Sequence, residues 1–440
     1  MTGLDGVQTP KTRQMPANKT ALVAALDIGT SKIACLIARL KPRPPGETLR
    51  GRTHAVELIG LSHIQSRGVK AGAVINLNEC EQAVRQAVAL AERMAKVRVE
   101  SVLLSVSAGR LKGELIEASS ELRGGAVTPA DMSRVVSAGM YHATPQGRTV
   151  LHALPVGYSL DGVKGVRDPS GMVARQFGID MNVVTADATA AKNLMLVVER
   201  CHLNVEAMAA GPYAAGLSVL TDDELDLGAA VVEMGAGTTT ISTYSGGQCV
   251  HASGFALGGH HVTMDLARGL GACIADAERI KTLYGTVLTG GSDARELMSV
   301  PTADDHERDA PQIVSRATIA NIVRQRVEET FEMVRDRLAD SPFAADPRAR
   351  VVLTGGASQL TGIPELAGRI LGRPVRIGRP LGFGRLPPEA KSASFAVPTG
   401  LLVYPQFAHL EHVEPRHTRH PMTGTHGYFG KVGRWLREGF

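Results

Sequence analysis

Apolar runs closed by small turn clusters alternate with helical periods along most of the chain. ALVAALDIG (21–29) is an apolar run ending in a turn, and KIACLIARL (32–40) is a second strand-like run behind it. Residues 79–96 carry a helical period, and VESVLLSVSAG (99–109) returns to strand. TPADMSRVV (128–136) opens a helix, with Thr128 as cap and Pro129 suited to the first turn. Residues 186–200 read as helix, and VEAMAAGPYAAGLSVL (205–220) as a strand running into a helix. Residues 315–339 form a long amphipathic helix whose apolar stripe (Ile319, Ile322, Val323, Val327, Phe331, Val334) reads as core. Residues 290–312 are polar and read as a loop, 1–20 as a flexible arm, and 405–427 as a linker without apolar period.

The opening pattern recurs. LDLGAAVVEMGAGTTTISTYSGG (225–247) repeats the shape of 21–40, with Glu233 standing 206 positions after Asp27. Each copy is an apolar strand, an acid, a turn of Gly and hydroxyl residues, and a second strand. Such a turn presents backbone N–H groups to an anion with little side-chain bulk in the way. Asp27 at the strand end can organise a hydrated Mg²⁺, and Lys32 adds charge near a phosphate. Taken alone, Asp27–Lys32 is an ordinary β-hairpin turn. Two like turns suggest a duplicated fold gripping one triphosphate from both sides. A third element, Leu353-Thr354-Gly355-Gly356-Ala357-Ser358, would let a base and ribose lie against bare backbone; a lone Gly-Gly before a helix is weak, and its place after both hairpins makes it useful.

Composition narrows the classes. The length suggests two or three units with a core that needs no staples. The net charge of +5 is too small over 440 residues to argue for nucleic acid. Five scattered Cys without a C-x-x-C pair argue against a disulfide framework or zinc ribbon and for a reducing cytoplasm. No run reaches the length of a membrane span, and the polar start lacks the apolar region of a signal peptide.

Aromatic residues are scarce, yet Tyr428, Phe429, Trp435 and Phe440 crowd the last residues. On a helix, these with Val432 and Leu436 fall on one side, and Lys431, Arg434, Arg437 and Glu438 on the other. Gly430, Gly433 and Gly439 weaken that helix in water, so it should order when its apolar face is buried. Behind a linker, such a segment reads as an interfacial membrane anchor; the plainer alternative is a terminal helix docked on the core. A single helix of this kind holds weakly, and polymerisation would supply the multivalency for stable attachment. The five linker His (409, 412, 417, 420, 426) have a spacing that fits no compact metal site.

The order of these elements resembles the actin, sugar-kinase and heat-shock chaperone ATPase superfamily, and more closely the bacterial cell-division FtsA family. The carriers are ALDIGTSKI (25–33), DPSGM (168–172), ALGGHHVTMDLA (256–267), AERIKTLYG (277–285), VVLTGGASQLTGI (351–363) and SFAVPTGLLVY (394–404). The resemblance implies an α/β, actin-like fold of two lobes from a duplicated nucleotide-gripping unit, with an FtsA-type inserted subdomain. Its expected division is an arm at 1–19, first lobe at 20–97 and 178–207, and insert at 98–177. The second lobe follows at 208–250 and 346–404, its outer subdomain at 251–345, the linker at 405–427 and the anchor helix at 428–440.

For the site, the resemblance implies ATP and Mg²⁺ as cofactors. Gly29, Thr30, Ser31 and Lys32 would meet the phosphates from one lobe, with Asp27 holding Mg²⁺ through water. Glu233, Gly235, Gly237, Thr238 and Thr239 would face them, with Gly258 and Gly259 nearby. Glu278 and Lys281 would contact the ribose and base side opposite Gly355, Gly356 and Ala357; without the family they read as an i, i+3 surface pair. The resemblance further implies self-association into filaments, contact with later divisome membrane proteins, an FtsZ tail site near Arg316 and Arg326, and anchoring at the cytoplasmic face of the membrane at the septum. The membrane residues would be Phe429, Lys431, Val432, Arg434, Trp435, Leu436, Arg437 and Phe440.

Two departures bear on catalysis. The second hairpin carries Glu233 where the superfamily usually has Asp. The stretch before it reads Gly211-Pro212, where several ATPase relatives have Glu-Pro and use that Glu to position water. Glycine cannot act as general base, so hydrolysis should be slow or negligible unless Glu206 or a water relay substitutes. The rival readings are a sugar or acetate-type kinase and another actin-like scaffold, such as a pilus assembly ATPase or a shape-determining filament.

Overall fold

The computed structural model describes residues 9–10, 16, 18–43, 51–108, 110–122, 125–166, 168–288, 295–301, 312–408 and 411. Two sheets carry the architecture. The first has the order Asn204–Ala210, Ser101–Val106, Ala21–Ile28, Lys32–Pro42, His54–Gln65. The first three strands of that order are mutually parallel, and the last two continue antiparallel. Their near-continuous apolar sequences are those of strands covered on both faces: Leu26, Ile33, Leu36, Ile37, Leu103 and Leu104 are fully buried.

The second sheet starts with the same plan. Val375–Ile377, Arg350–Thr354, Ala229–Met234, Thr239–Ser245 and Gln248–Phe255 repeat both the order and the directions. The duplication expected from the two hairpins is thus a duplication of a five-stranded half. Between the halves lie the helices Gly211–Val219 and Ala396–Val403, in which every residue is buried. They pack on each other and on strands of the adjoining sheets. A Cβ added at Gly400 would overlap the Ala214 carbonyl, so the helices meet backbone to backbone.

The inserted unit extends the second sheet by Lys112–Glu121, Gln176–Asp187, Arg148–Leu160 and Val163–Val166. It has its own core around Phe177, Ile179, Met181 and Val135. Its helix Pro129–Ala143 opens with the expected Thr128 cap, in a box with Asp131. A single ladder position, Ser253 opposite Lys112, pairs this unit with the Gln248–Phe255 strand.

Several expected boundaries move. Ser101–Val106 is a central strand of the first sheet, so the insert does not begin at 98, and Gln176–Asp187 pairs inside the inserted unit beyond 177. Asn204–Ala210 belongs to the first sheet past 207, and Gln248–Phe255 keeps the second lobe's sheet going past 250. The 290–312 loop contains a strand, Leu297–Val300, paired with Gln312–Ser315. Nor is the arm at 1–19 free throughout: Thr9 is buried and donates to the Val150 carbonyl at 2.6 Å, and the Met208 N–H reaches the Pro10 carbonyl. The linker begins later than 405, because Tyr404–Gln406 is a buried turn and Glu411 is buried too. The long helix is Arg316–Ala339, capped by Ser315, with Ile319, Val323, Val327, Phe331 and Val334 in the second core and Ile322 packed at its margin.

Candidate functional site

The two hairpin turns close alike: the Gly29 N–H donates to the Lys32 carbonyl at 3.0 Å, and the Gly235 N–H to the Thr238 carbonyl at 2.9 Å. They also touch, since a Cβ on Gly237 would lie 2.5 Å from Thr30 Oγ1. Behind that contact is a cleft of about 550 Å³, within the range of small-molecule sites. One wall is Asp27, Gly29, Thr30, Ser31 and Lys32; the other is Glu233, Gly235, Ala236 and Gly259. Glu278, Lys281, Gly355, Gly356 and Ala357 complete it. Gly355 has φ +87° and backs onto the Met234 backbone, so only glycine suits that turn.

Two acids, one from each wall, share one lysine. Asp27 accepts a hydrogen bond from Ser105 Oγ at 2.5 Å. Burial pushes its carboxyl up, against the opposing pulls of Ser105 and Lys32. Glu233 accepts from Thr240 Oγ1 at 3.1 Å, and burial with the Asp27 charge pushes it up to about 7. Lys32 is pushed down to about 8 by burial, with Asp27 and Glu233 pulling the other way. Its Nζ donates to the Ser394 carbonyl at 2.5 Å and sits 3.7 Å from the Phe395 ring centre.

Glu278 and Lys281 are more than a surface pair. Lys281 Nζ donates to Glu278 Oε2 at 2.7 Å, Thr263 Oγ1 at 2.8 Å and the Gly259 carbonyl at 3.1 Å. Thr263 Oγ1 lies 2.5 Å from the same Glu278 oxygen. Burial raises the Glu278 carboxyl, but the hydrogen bonds from Lys281 and Thr263 outweigh it and hold it below its ordinary value.

Gly237, Thr238, Thr239 and Gly258 are not among the lining residues. Thr239 is fully buried and donates to the Leu257 carbonyl, and Gly258 stands against the Gly235 and Ala236 carbonyls. They shape the wall from behind. Glu206 bonds Ser101 on the exposed margin of the first sheet and does not line the cleft. A Cβ at Gly211 would overlap Ser107 Oγ, so a side chain there requires that hydroxyl to turn away. Sequence reasoning missed Ser105, Thr240, Thr263, Ser394 and Phe395; for Ser105 the available signal was a hydroxyl in an otherwise apolar run.

Arg326 is held by Asp265 at 2.5 Å and 3.1 Å and also by Glu329, and Arg316 meets Glu296 at 2.9 Å. Residues 428–440, with Phe429, Lys431, Val432, Arg434, Trp435, Leu436, Arg437 and Phe440, lie outside the described residues, as do 412–427.

Residues 230–400 match the model of the cell division protein FtsA, and residues 108–185 match the SHS2 domain inserted in FtsA. The chain is 48% identical to the cell division protein FtsA of Agrobacterium fabrum over 432 residues, 98% of each chain. It is 47% identical to that of Rhizobium meliloti, again over 98% of each. Among solved structures, the PilM-PilN type IV pilus biogenesis complex superposes with TM-score 0.60 at 18% identity, covering 87% of this chain and 98% of that one. MreB5 of Spiroplasma citri bound to ADP does so with TM-score 0.52 at 14% identity, covering 88% and 97%. These structures establish the actin-like fold, and the sequence relatives decide among its bearers. The chain belongs to the FtsA family of cell division proteins.

Proposed function

We propose that this chain is an ATP-binding, actin-like division protein that polymerises and ties FtsZ filaments to the membrane at the septum. The observation that carries the reading is its 48% identity to an FtsA protein along almost the whole of both chains. The cleft supports the nucleotide half. Gly29, Thr30, Ser31 and Lys32 would hold phosphates from one side and Gly235 from the other, with the sugar end between Glu278, Lys281 and Gly355–Ala357. Bound Mg²⁺ would supply charge neutralisation. Among the described residues no three His, Cys, Asp or Glu side chains converge. Asp27 would therefore meet the ion through water, and phosphate would provide other oxygens.

Without a carboxylate at position 211, hydrolysis is slow, below about 1 s⁻¹. No helix among the described residues is long and apolar enough to cross a membrane; attachment falls to the amphipathic segment 428–440 at the cytoplasmic face. An acidic FtsZ tail peptide would have to exchange with Asp265, Glu329 and Glu296 to reach Arg326 and Arg316. Later divisome proteins would contact the assembled filament.

Co-sedimentation with anionic vesicles and ATP tests the reading by comparing the full chain with one ending at Gly427. Only the full chain should pellet, and it should carry FtsZ down. If both chains stay in solution, the tail is a docking helix and the kinase reading gains.

A further inference from the structure

The inserted unit pairs with the second sheet at one residue pair and adds the Asn182 bond to the Cys249 carbonyl at 3.2 Å, and a buried polar cluster binds it elsewhere. His152, on the insert's Arg148–Leu160 strand, is fully buried. Its Nε2 accepts the Ala210 N–H at 2.8 Å, so the ring's hydrogen sits on Nδ1. Nδ1 donates to Glu411 Oε1 at 2.8 Å, and Tyr404 OH donates to the same oxygen at 3.0 Å. The His152 ring also packs edge-on against Tyr213 and Tyr404, 4.8 Å and 5.8 Å between centres. Glu411 therefore sits where three parts meet: the insert at His152, the ends next to the inter-lobe helices at Ala210 and Tyr404 with Tyr213 beside them, and the chain just before residues 412–440.

The same seam receives the N-terminal segment. Thr9 bonds Val150, two residues before His152, and the Pro10 carbonyl bonds Met208, two before Ala210. Burying a carboxylate is costly unless it is hydrogen-bonded, and here two donors share one oxygen. Removing it would leave the Nδ1–H and the Tyr404 hydroxyl buried without that acceptor.

We propose that Glu411 is a latch: by closing on His152 and Tyr404 it couples the seating of the inserted unit to that of the buried turn Tyr404–Gln406 and of residue 411 after it. Opening it loosens the insert–helix seam and that turn together. The coupling stands whether or not the tail meets a membrane.

Hydrogen exchange on the full chain, without lipid or nucleotide, tests this, so its failure is separate from failure of the membrane reading. The Ala210 amide is the reporter, because its protection depends on His152 staying in place. E411A should speed exchange at Ala210 and across 404–408 by about tenfold or more, with the second-lobe core Ala229–Met234 unchanged. E411Q keeps a carbonyl acceptor and should restore most of the protection. H152F, which keeps a ring but neither bond, should speed exchange at 404–408 as E411A does. If E411A leaves Ala210 as protected as wild type, or speeds exchange everywhere equally, the latch is refuted. Should H152F fail to fold, the E411A and E411Q pair still decides.

Discussion

The two halves share one strand plan but treat their hairpin acids differently. In the first, a short acid, Asp27, meets a serine of the neighbouring parallel strand at 2.5 Å. In the second, a longer acid, Glu233, meets a threonine of its own hairpin at 3.1 Å. The margins differ as well: His54–Gln65 ends the first sheet, whereas Gln248–Phe255 continues into the inserted unit. A duplicated backbone thus fixes where the acids stand, and the side chains around each decide what charge it holds.

Removing what the halves share should have the largest effect. Gly400→Val drives a branched side chain into the Ala214 backbone between the two buried helices. It should cost more than about 3 kcal/mol or prevent folding, read by denaturant titration.

Next comes the acid of the second half. The Glu233 carboxyl is raised to about 7 in the folded chain, above its ordinary 4.5. Between those values the unfolded chain has released a proton that the folded chain keeps, so stability falls as pH rises and levels off above about 7. Glu233→Gln removes that loss. The variant should match wild type near pH 5 and exceed it near pH 8 by up to about 3 kcal/mol, with Lys32 offsetting part. Equal stability at both pH values would mean that Glu233 is not held protonated.

The smallest effects separate the two donors. Ser105→Ala should destabilise by about 1–2 kcal/mol, since it strips a short bond from a partly buried acid. Thr240→Val, which removes a longer bond, should cost under about 1 kcal/mol. Thermal unfolding of both variants tests the order; a reversal would make Glu233 the more dependent acid.

The cleft was largely legible because its makers are local. A turn such as Asp27–Lys32 is written in consecutive residues, and its repetition at Glu233–Thr239 could be seen without knowing what lies between. The Arg316–Ala339 helix and its buried stripe were legible for the same reason, as was the Thr128 cap. Less legible were partners brought by distant strands. Ser105 reaches Asp27 from 78 positions away, and Ser394 reaches Lys32 from 362. The insert's limits were misplaced because Ser101–Val106 and Gln176–Asp187 read as strands in sequence, while the sheet each joins depends on pairing.

By itself, then, the sequence determined the two acid-bearing hairpins, the Gly355-Gly356 turn, the long amphipathic helix and the family. These rest on periodicity, turn chemistry and the order of short motifs, all properties of neighbouring residues. Only the tertiary structure decided that Ser105 and Ser394 reach Asp27 and Lys32, and that Thr9 and Glu411 dock on the seam beside His152. Each of those depends on which surfaces are desolvated together, and that is set by the packing of segments far apart in the chain.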